Sequence, residues 1–436
     1  MINLRFKFVC LFLITFHNCP LPGQSGHQPV NSVVGKEYID SLIIQSNRLI
    51  QLDKESAVSF ARQALQHSQR INYESGIAGA KEMIGMYQAS VSDYPGALES
   101  FFAFLDIVKK LGDQSAEVRG FLRISGVYMK IRNSQMAYKY VQDAILLANN
   151  LQKPDDMGFA HYYLAMFYYE KKELPQAKEW AHHSLSELQE LSDQLELVAR
   201  VEKLIGDISL EELNFKDAIH YYNSSLKGFQ ETNLHSEEAI LLTRIAHVYE
   251  RTGDQIKGLE ILREALFIRD SLGNPELISH SLVNIGKVFL TMHDLDSALI
   301  YFTRGLVMAE KSKKASVIEV VYFQLYKYYF AVGNYKKSID YFSLYTKAHD
   351  EAQAERSRSE ITLVETRAQL KELETKNALL IKELEIQKLS LKNRSYSELI
   401  TQLIIGTIGL LLLVLVFIAE RSKLSKSRLE LINRQL

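Results

Sequence analysis

The chain has 436 residues, enough for two or three ordinary domains, with 51 Lys and Arg against 52 Asp and Glu. A net charge of −1 carries no electrostatic footprint of a nucleic-acid partner. Its two cysteines, Cys10 and Cys19, both lie near the N-terminus, which leaves no Cys-based metal site to expect.

At the N-terminus, Arg5 and Lys7 precede an apolar run from Phe8 to Phe16, and small residues follow at Gly23, Ser25 and Gly26. This order reads as a secretory signal over residues 1–25, and its apolar run is too short to cross a bilayer. Cleavage near Ser25 removes both cysteines, so the remaining fold is expected to hold by packing alone.

From there a forty-residue register takes over. Ala57, Ala97, Ala137, Ala177, Ala218, Gly258, Ala298 and Ser338 recur forty residues apart, with one interval of forty-one. An aliphatic residue stands thirteen before each, as in Ile44, Ile84, Ile124, Leu164, Ile205, Ile245, Ile285 and Leu325. Gly or Ala often follows it (Ala165, Gly206, Ala246, Gly286), and an aromatic stands nine before the small residue in Tyr128, Tyr168, Tyr249, Phe289 and Tyr329. A bulky anchor comes four after it, as in Phe101, Val141, Tyr222, Leu262, Phe302 and Phe342. Spacings of three and four in each half predict two amphipathic helices per repeat, divided by turns such as Gly253-Asp254 and Gly333-Asn334. Pro95 and Pro175 stand where a second helix begins, the place a missing N–H costs least.

The strings Ile285-Gly286-Lys287-Val288-Phe289 and Gly333-Asn334-Tyr335-Lys336-Lys337-Ser338 resemble the tetratricopeptide repeat family. The likeness covers residues 37–349 and implies an all-α superhelical solenoid of about eight helix pairs. The family's period is about 34 residues, so the helices or loops here are longer. The first pair departs most, with Gln45 and Arg48 where Gly/Ala and Tyr belong, which suits a polar cap. In that family the inner surface is lined by first-helix positions two and five residues to either side of the Gly/Ala site. Taken at the nearest match, the candidates for a groove holding a protein or peptide are Phe159, Tyr162, Met166, Tyr169, Lys203, His247, Lys287, Phe323 and Lys327. Arg200, Asp207, Thr243, Glu250 and Phe330 belong to the same set. Packing against the next repeat is the competing role for the apolar members. Some family members clamp a carboxylate with paired Lys and Asn; here Asp207 stands where Asn belongs, against that ligand.

Neither glycine nor proline occurs from Lys336 to Ile405, which predicts one helix about 100 Å long. Leu363, Leu370, Asn377, Leu384 and Leu391 fall at strict seven-residue spacing, while Leu373 and Leu380 supply the second seam position. Thr366, Gln387 and Arg394 are its weaker members. Leucines with one seam Asn favour a parallel two-stranded coil over residues 350–397, a homodimer; the alternative is a solvated single helix.

Residues 399–419 contain no charge, and fifteen of them are Leu, Ile, Val or Phe. On an insertion scale they sum to roughly 5 to 9 kcal/mol in favour of a transmembrane helix. Arg421, Lys423, Lys426 and Arg428 follow, the flank of a cytoplasmic side, in a tail of residues 420–436. Together with the signal segment this predicts a single-pass inner-membrane protein with its repeats in the periplasm.

No phosphate-binding Gly-rich loop and no His-Glu-x-x-His pair occurs; His182 and His183 are adjacent and point apart on a helix; and no cofactor is expected. The order of segments resembles the sensor region of membrane signalling proteins of Bacteroidetes-type bacteria, in which a histidine kinase or helix-turn-helix regulator follows the membrane. Three readings stand: a non-enzymatic sensor or scaffold transmitting binding through a dimeric stalk, the sensory half of a receptor whose output domain is missing, and a static envelope scaffold. For the stalk, a peptide of residues 355–397 well above micromolar concentration is expected to sediment as a dimer, and Asn377→Leu to tighten association while broadening the oligomers formed. A monomer under those conditions counts against the paired stalk.

Overall fold

The computed structural model describes residues 35–50, 53–189, 191 and 194–433; the expected signal segment and residues 434–436 lie outside them. Among the described residues the chain forms sixteen helices and no strand. The first four pairs are α1 (Lys36–Leu49) with α2 (Lys54–Arg70), α3 (Glu74–Ser90) with α4 (Tyr94–Leu111), α5 (Gln114–Lys130) with α6 (Ser134–Leu151), and α7 (Pro154–Glu170) with α8 (Leu174–Leu188). Then come α9 (Leu195–Glu211) with α10 (Phe215–Glu231), α11 (His235–Thr252) with α12 (Gln255–Leu272), α13 (Pro275–Thr291) with α14 (Leu295–Ser312), and α15 (Ala315–Ala331) with α16 (Tyr335–Asn433). Each pair packs most closely with itself, then with the next pair along. The result is the expected all-α, tetratricopeptide-like solenoid.

The small-residue column sits at the crossing within each pair. Ala57, Ala97, Ala137, Ala177, Ala218 and Ala298 have no exposed surface at all. The Gly/Ala column has an equally local cause, because the aromatic anchor of the second helix lies flat across it. A Cβ on Gly85, Gly206 or Gly286 would fall within 2.6, 2.5 or 2.7 Å of the rings of Phe101, Tyr222 and Phe302. Helices that cross at 8 to 10 Å leave no room for both groups.

The turn inside each repeat is also periodic. Ser92, Arg132, Lys172, Leu213, Gly253, His293 and Gly333, each five residues before the small position, all adopt positive φ. Glycine occupies only two of these seven places, so the turn is imposed by the packing of its two helices rather than by glycine. The next helix is then capped: Asp93, Asn133, Asn214, Asp254 and Asp294 each accept a hydrogen bond from a backbone N–H in its first turn. Pro95, Pro154, Pro175 and Pro275 all stand at first-turn positions.

Two core assignments require correction. Phe342, an anchor of the register, is 45% exposed, with its ring against Tyr326 and Tyr345 at the surface. Ile44 is 52% exposed, whereas Ile124 and Ile285 at the matching register are fully buried. In the third repeat Ser125 donates to the Ala137 carbonyl twelve residues on; in the first, Ser46 donates to Ala57, eleven on. In the first repeat Ile44 thus faces outward while Ile39 and Leu42 fill the core, and the serine that donates across the crossing stands two residues after the aliphatic position rather than one.

The last helix carries the array, the stalk and the apolar segment without a break. At 99 residues α16 runs about 150 Å. Its start packs on α15, where the Ser338 hydroxyl donates to the Tyr326 carbonyl and Glu319 accepts Arg356 at 3.2 Å and faces His349 Nδ1 at 2.7 Å. Farther on, Leu380, Leu384 and Leu391 are exposed, and the side chains of Leu370, Leu373 and Asn377 lie outside the described residues. Within α16, Lys382–Leu429 contains a stretch long and apolar enough to cross a membrane, none of it buried against the protein.

Because Ala177 is fully buried at a helix crossing, Ala177→Leu is expected to destabilise the array by about 1 to 3 kcal/mol. A thermal melt of the variant indistinguishable from the parent would contradict this packing.

Candidate functional site: the inner face of the repeats

Successive first helices touch one another, α1 with α3, α5 with α7, α7 with α9 and α13 with α15. Successive second helices make no contact as extensive among the described residues, so the array curves with its first helices on the inside. The inner face between α7 and α13 is where charge accumulates.

On α7, Tyr162, Met166 and Tyr169 are half-buried and pack on the cluster around Leu204, Ile205 and Ile208 of the next repeat. The Tyr169 hydroxyl donates to Glu211 at 2.8 Å, and Lys172 donates to the same oxygen at 2.8 Å. Phe159 is turned away from this group, edge-on to Tyr163 and packed with Val118 and Leu122. It is a packing residue between the third and fourth repeats.

A charged ladder continues across α9 and α11. Glu237 accepts Arg200 at 3.1 Å and Lys203 at 2.9 Å, which ties the fifth repeat to the sixth. Burial pushes the Glu237 carboxyl up, but Lys203 and Arg200 outweigh it and hold it below the usual carboxylate range. Asp207 accepts the Tyr222 hydroxyl at 2.7 Å and pairs with Arg244 at 3.1 Å. Here burial outweighs its partners and the Asp207 carboxyl is raised. The Arg244 Nε is buried with no hydrogen-bond partner.

Beside this pair the first helices α9, α11 and α13 enclose a shallow depression of about 320 Å³. Leu210 and Leu262 form its apolar side; Thr243, Arg244, His247, Glu250, Asn284 and Lys287 supply donors and one carboxylate. Three or more cationic or amide donors around a single acid make a surface suited to an acceptor-bearing chain. Among the described residues no cluster of His, Cys, Asp or Glu could hold a metal ion.

Of the residues picked from the sequence, Tyr162, Lys203, His247 and Lys287 thus fall on one continuous stretch of the inner face. Phe323 and Lys327 are brought to a different place, the end of the array, where Phe323 packs on Tyr345 with ring centres 5.1 Å apart and Lys327 lies over the Phe323 ring. Arg244 and Asn284 were missed by the sequence reading. They stand two residues before Ala246 and Gly286, the offset the family rule itself states, and moving to the nearest match passed over them.

The fold is a tetratricopeptide-like solenoid whose inner face carries these polar side chains. No family model matches the chain, and no curated protein is similar to it. Among solved structures, a signal transduction ATPase with a tetratricopeptide repeat sensor from Pyrococcus horikoshii has a TM-score of 0.54 at 16% identity, covering 76% of this chain and 55% of that one. A Rap protein complexed with competence and sporulation factor gives 0.46 at 11% identity, covering 73% and 99% of the two chains. Pseudomonas aeruginosa pilF gives 0.40 at 15% identity, covering 56% and 98%. The first of these shares the fold.

Since Glu237 holds two cations, Glu237→Gln is expected to lower stability by about 2 kcal/mol at pH 7. A carboxyl held low contributes its full stability above the ordinary Glu range and loses it as pH falls through its own lower value. The gap between parent and variant should therefore narrow below about pH 4.5 in denaturant melts; a constant gap would assign the loss to packing.

Proposed function

We propose that this chain is a membrane-anchored, non-enzymatic protein-interaction module: its repeats bind an extended or helical segment of a partner protein on the inner face between α7 and α13, and the stalk carries the binding event to the bilayer. The observation that carries the reading is the continuity of α16, which is the second helix of the last repeat, the stalk and the apolar segment in one piece. A binding module mounted in this way has no flexible joint between its last repeat and the apolar stretch.

The inner face supplies what peptide recognition needs. Tyr162 and Leu210 offer apolar contact, while Arg244, His247, Asn284 and Lys287 offer donors spaced along successive repeats. We assign the stalk to a parallel homodimer and the orientation to repeats outside, with the basic residues after the apolar segment inside. Signal transfer then requires the partner to bind two stalk arrangements with different affinity.

The test is site-specific photocross-linking of the membrane-inserted full chain. A photoreactive residue at His247 or Lys287 is expected to capture a partner protein from envelope extract, and one at Phe267, which is 76% exposed on α12, is not. Lys287→Glu should then reduce capture at position 247 by tenfold or more. Equal capture at all three positions would assign the binding elsewhere.

A further inference from the structure

The leucine seam of the stalk already has a partner in the structure. Twenty-eight residues and about 42 Å beyond the start of α16, the helix meets α4 of the second repeat. Leu363 is half-buried there, packed against the cluster that contains Phe101, Phe104 and Leu105 of α4. Thr366, one turn on, is 6% exposed. Their neighbours Ile361 and Val364 are 57% and 61% exposed, so the contact is made by one face of the helix.

That face is the seam. Ser338 and Ala352, buried where α16 packs on α15, are spaced fourteen residues apart, and Thr366 is fourteen further on, with Leu380 next in the series. Leu363 and Thr366 belong to the same seven-residue series as the exposed leucines Leu380, Leu384 and Leu391 farther along α16. A knob in a coiled coil inserts into a hole on the facing helix, and two helices pack at 8 to 10 Å. With α4 on that face at Leu363 and Thr366, a second copy of α16 cannot occupy it at the same level.

We propose that the second repeat carries a helix-receiving surface, centred on α4, whose ligand is the first seam layer of the stalk, and that docking there and pairing with a second stalk at Leu363 and Thr366 exclude one another. The partner is an amphipathic helix presenting a leucine and a small β-branched residue three apart. In this arrangement the array holds the top of the stalk unzipped while the lower leucines remain free to pair. The exclusion half rests on the paired-stalk reading above; the docking half does not.

The experiment uses the full chain in lipid nanodiscs, carrying Cys10→Ser and Cys19→Ser, with single cysteines introduced as Ile361→Cys, Leu363→Cys, Val364→Cys, Thr366→Cys, Leu384→Cys or Leu391→Cys. In discs holding one copy, positions 363 and 366 are expected to react with a maleimide at least tenfold more slowly than 361, 364, 384 and 391. Equal rates at all six overturn the docking. Hydrogen exchange of residues 94–111 in the cysteine-free chain, faster when Leu363→Glu and Thr366→Glu are combined, is the second reading and needs no cysteine at the contact; unchanged exchange also overturns it. In discs holding two copies, a disulfide at 363 accompanied by faster exchange of residues 94–111 supports the exclusion. Cross-linking at 384 and 391 with 363 still protected and unlinked overturns it. Absence of any cross-link removes the paired stalk and the exclusion together, and leaves the docking to be judged by the single-copy discs alone.

Discussion

Close approach of two helices at a side chain no larger than alanine is the constraint on which this protein is built. At most crossings a fully buried small residue faces the partner helix, and in the second, fifth and seventh repeats an aromatic anchor four residues later lies over the glycine of the first helix. The two requirements are complementary, because the anchor's bulk is accommodated by the missing Cβ opposite. Repeating this pairing at a fixed interval gives every repeat the same internal geometry, so the array bends steadily and presents its first helices on one side.

From that regularity follows the freedom to vary the inner face. The core positions are spent on packing, but the positions one and four residues after the Gly/Ala site, and two or three before it, face the concave side and can hold any polar chemistry. In the fifth and sixth repeats they hold a chain of ion pairs that crosses from one repeat to the next, Lys203 and Arg200 to Glu237 and Arg244 back to Asp207. Partly buried charges of this kind fix the relative position of adjacent repeats.

Much of the fold was legible in the sequence because its determinants are local and periodic. The small-residue column, the anchors and the first-turn prolines each recur at fixed offsets, and each proved to have a steric cause. The placement of Ile44 was not legible, since the shift of the bonded serine from one residue after the aliphatic position to two shows only when Ser46 and Ser125 are compared by their acceptors. Arg244 and Asn284 were within reach of the stated offset. The meeting of Leu363 with the cluster around Phe104 was beyond it: a contact between residues so far apart in the chain depends on how far the whole array has curved, a sum over many repeats that no single motif records.

The continuity of α16 has a consequence in angle. Each residue of a helix advances the side-chain direction by about 100°, so the face that Ser338 turns toward the array fixes the bearing of every residue down to Leu429. Seven residues inserted between the array and the apolar segment would turn the array by only about 20° relative to that segment, and a single residue by about 100°. Stalk length in this protein is therefore a dial as well as a distance, and its heading is set by the same crossing that seats Ser338 against α15.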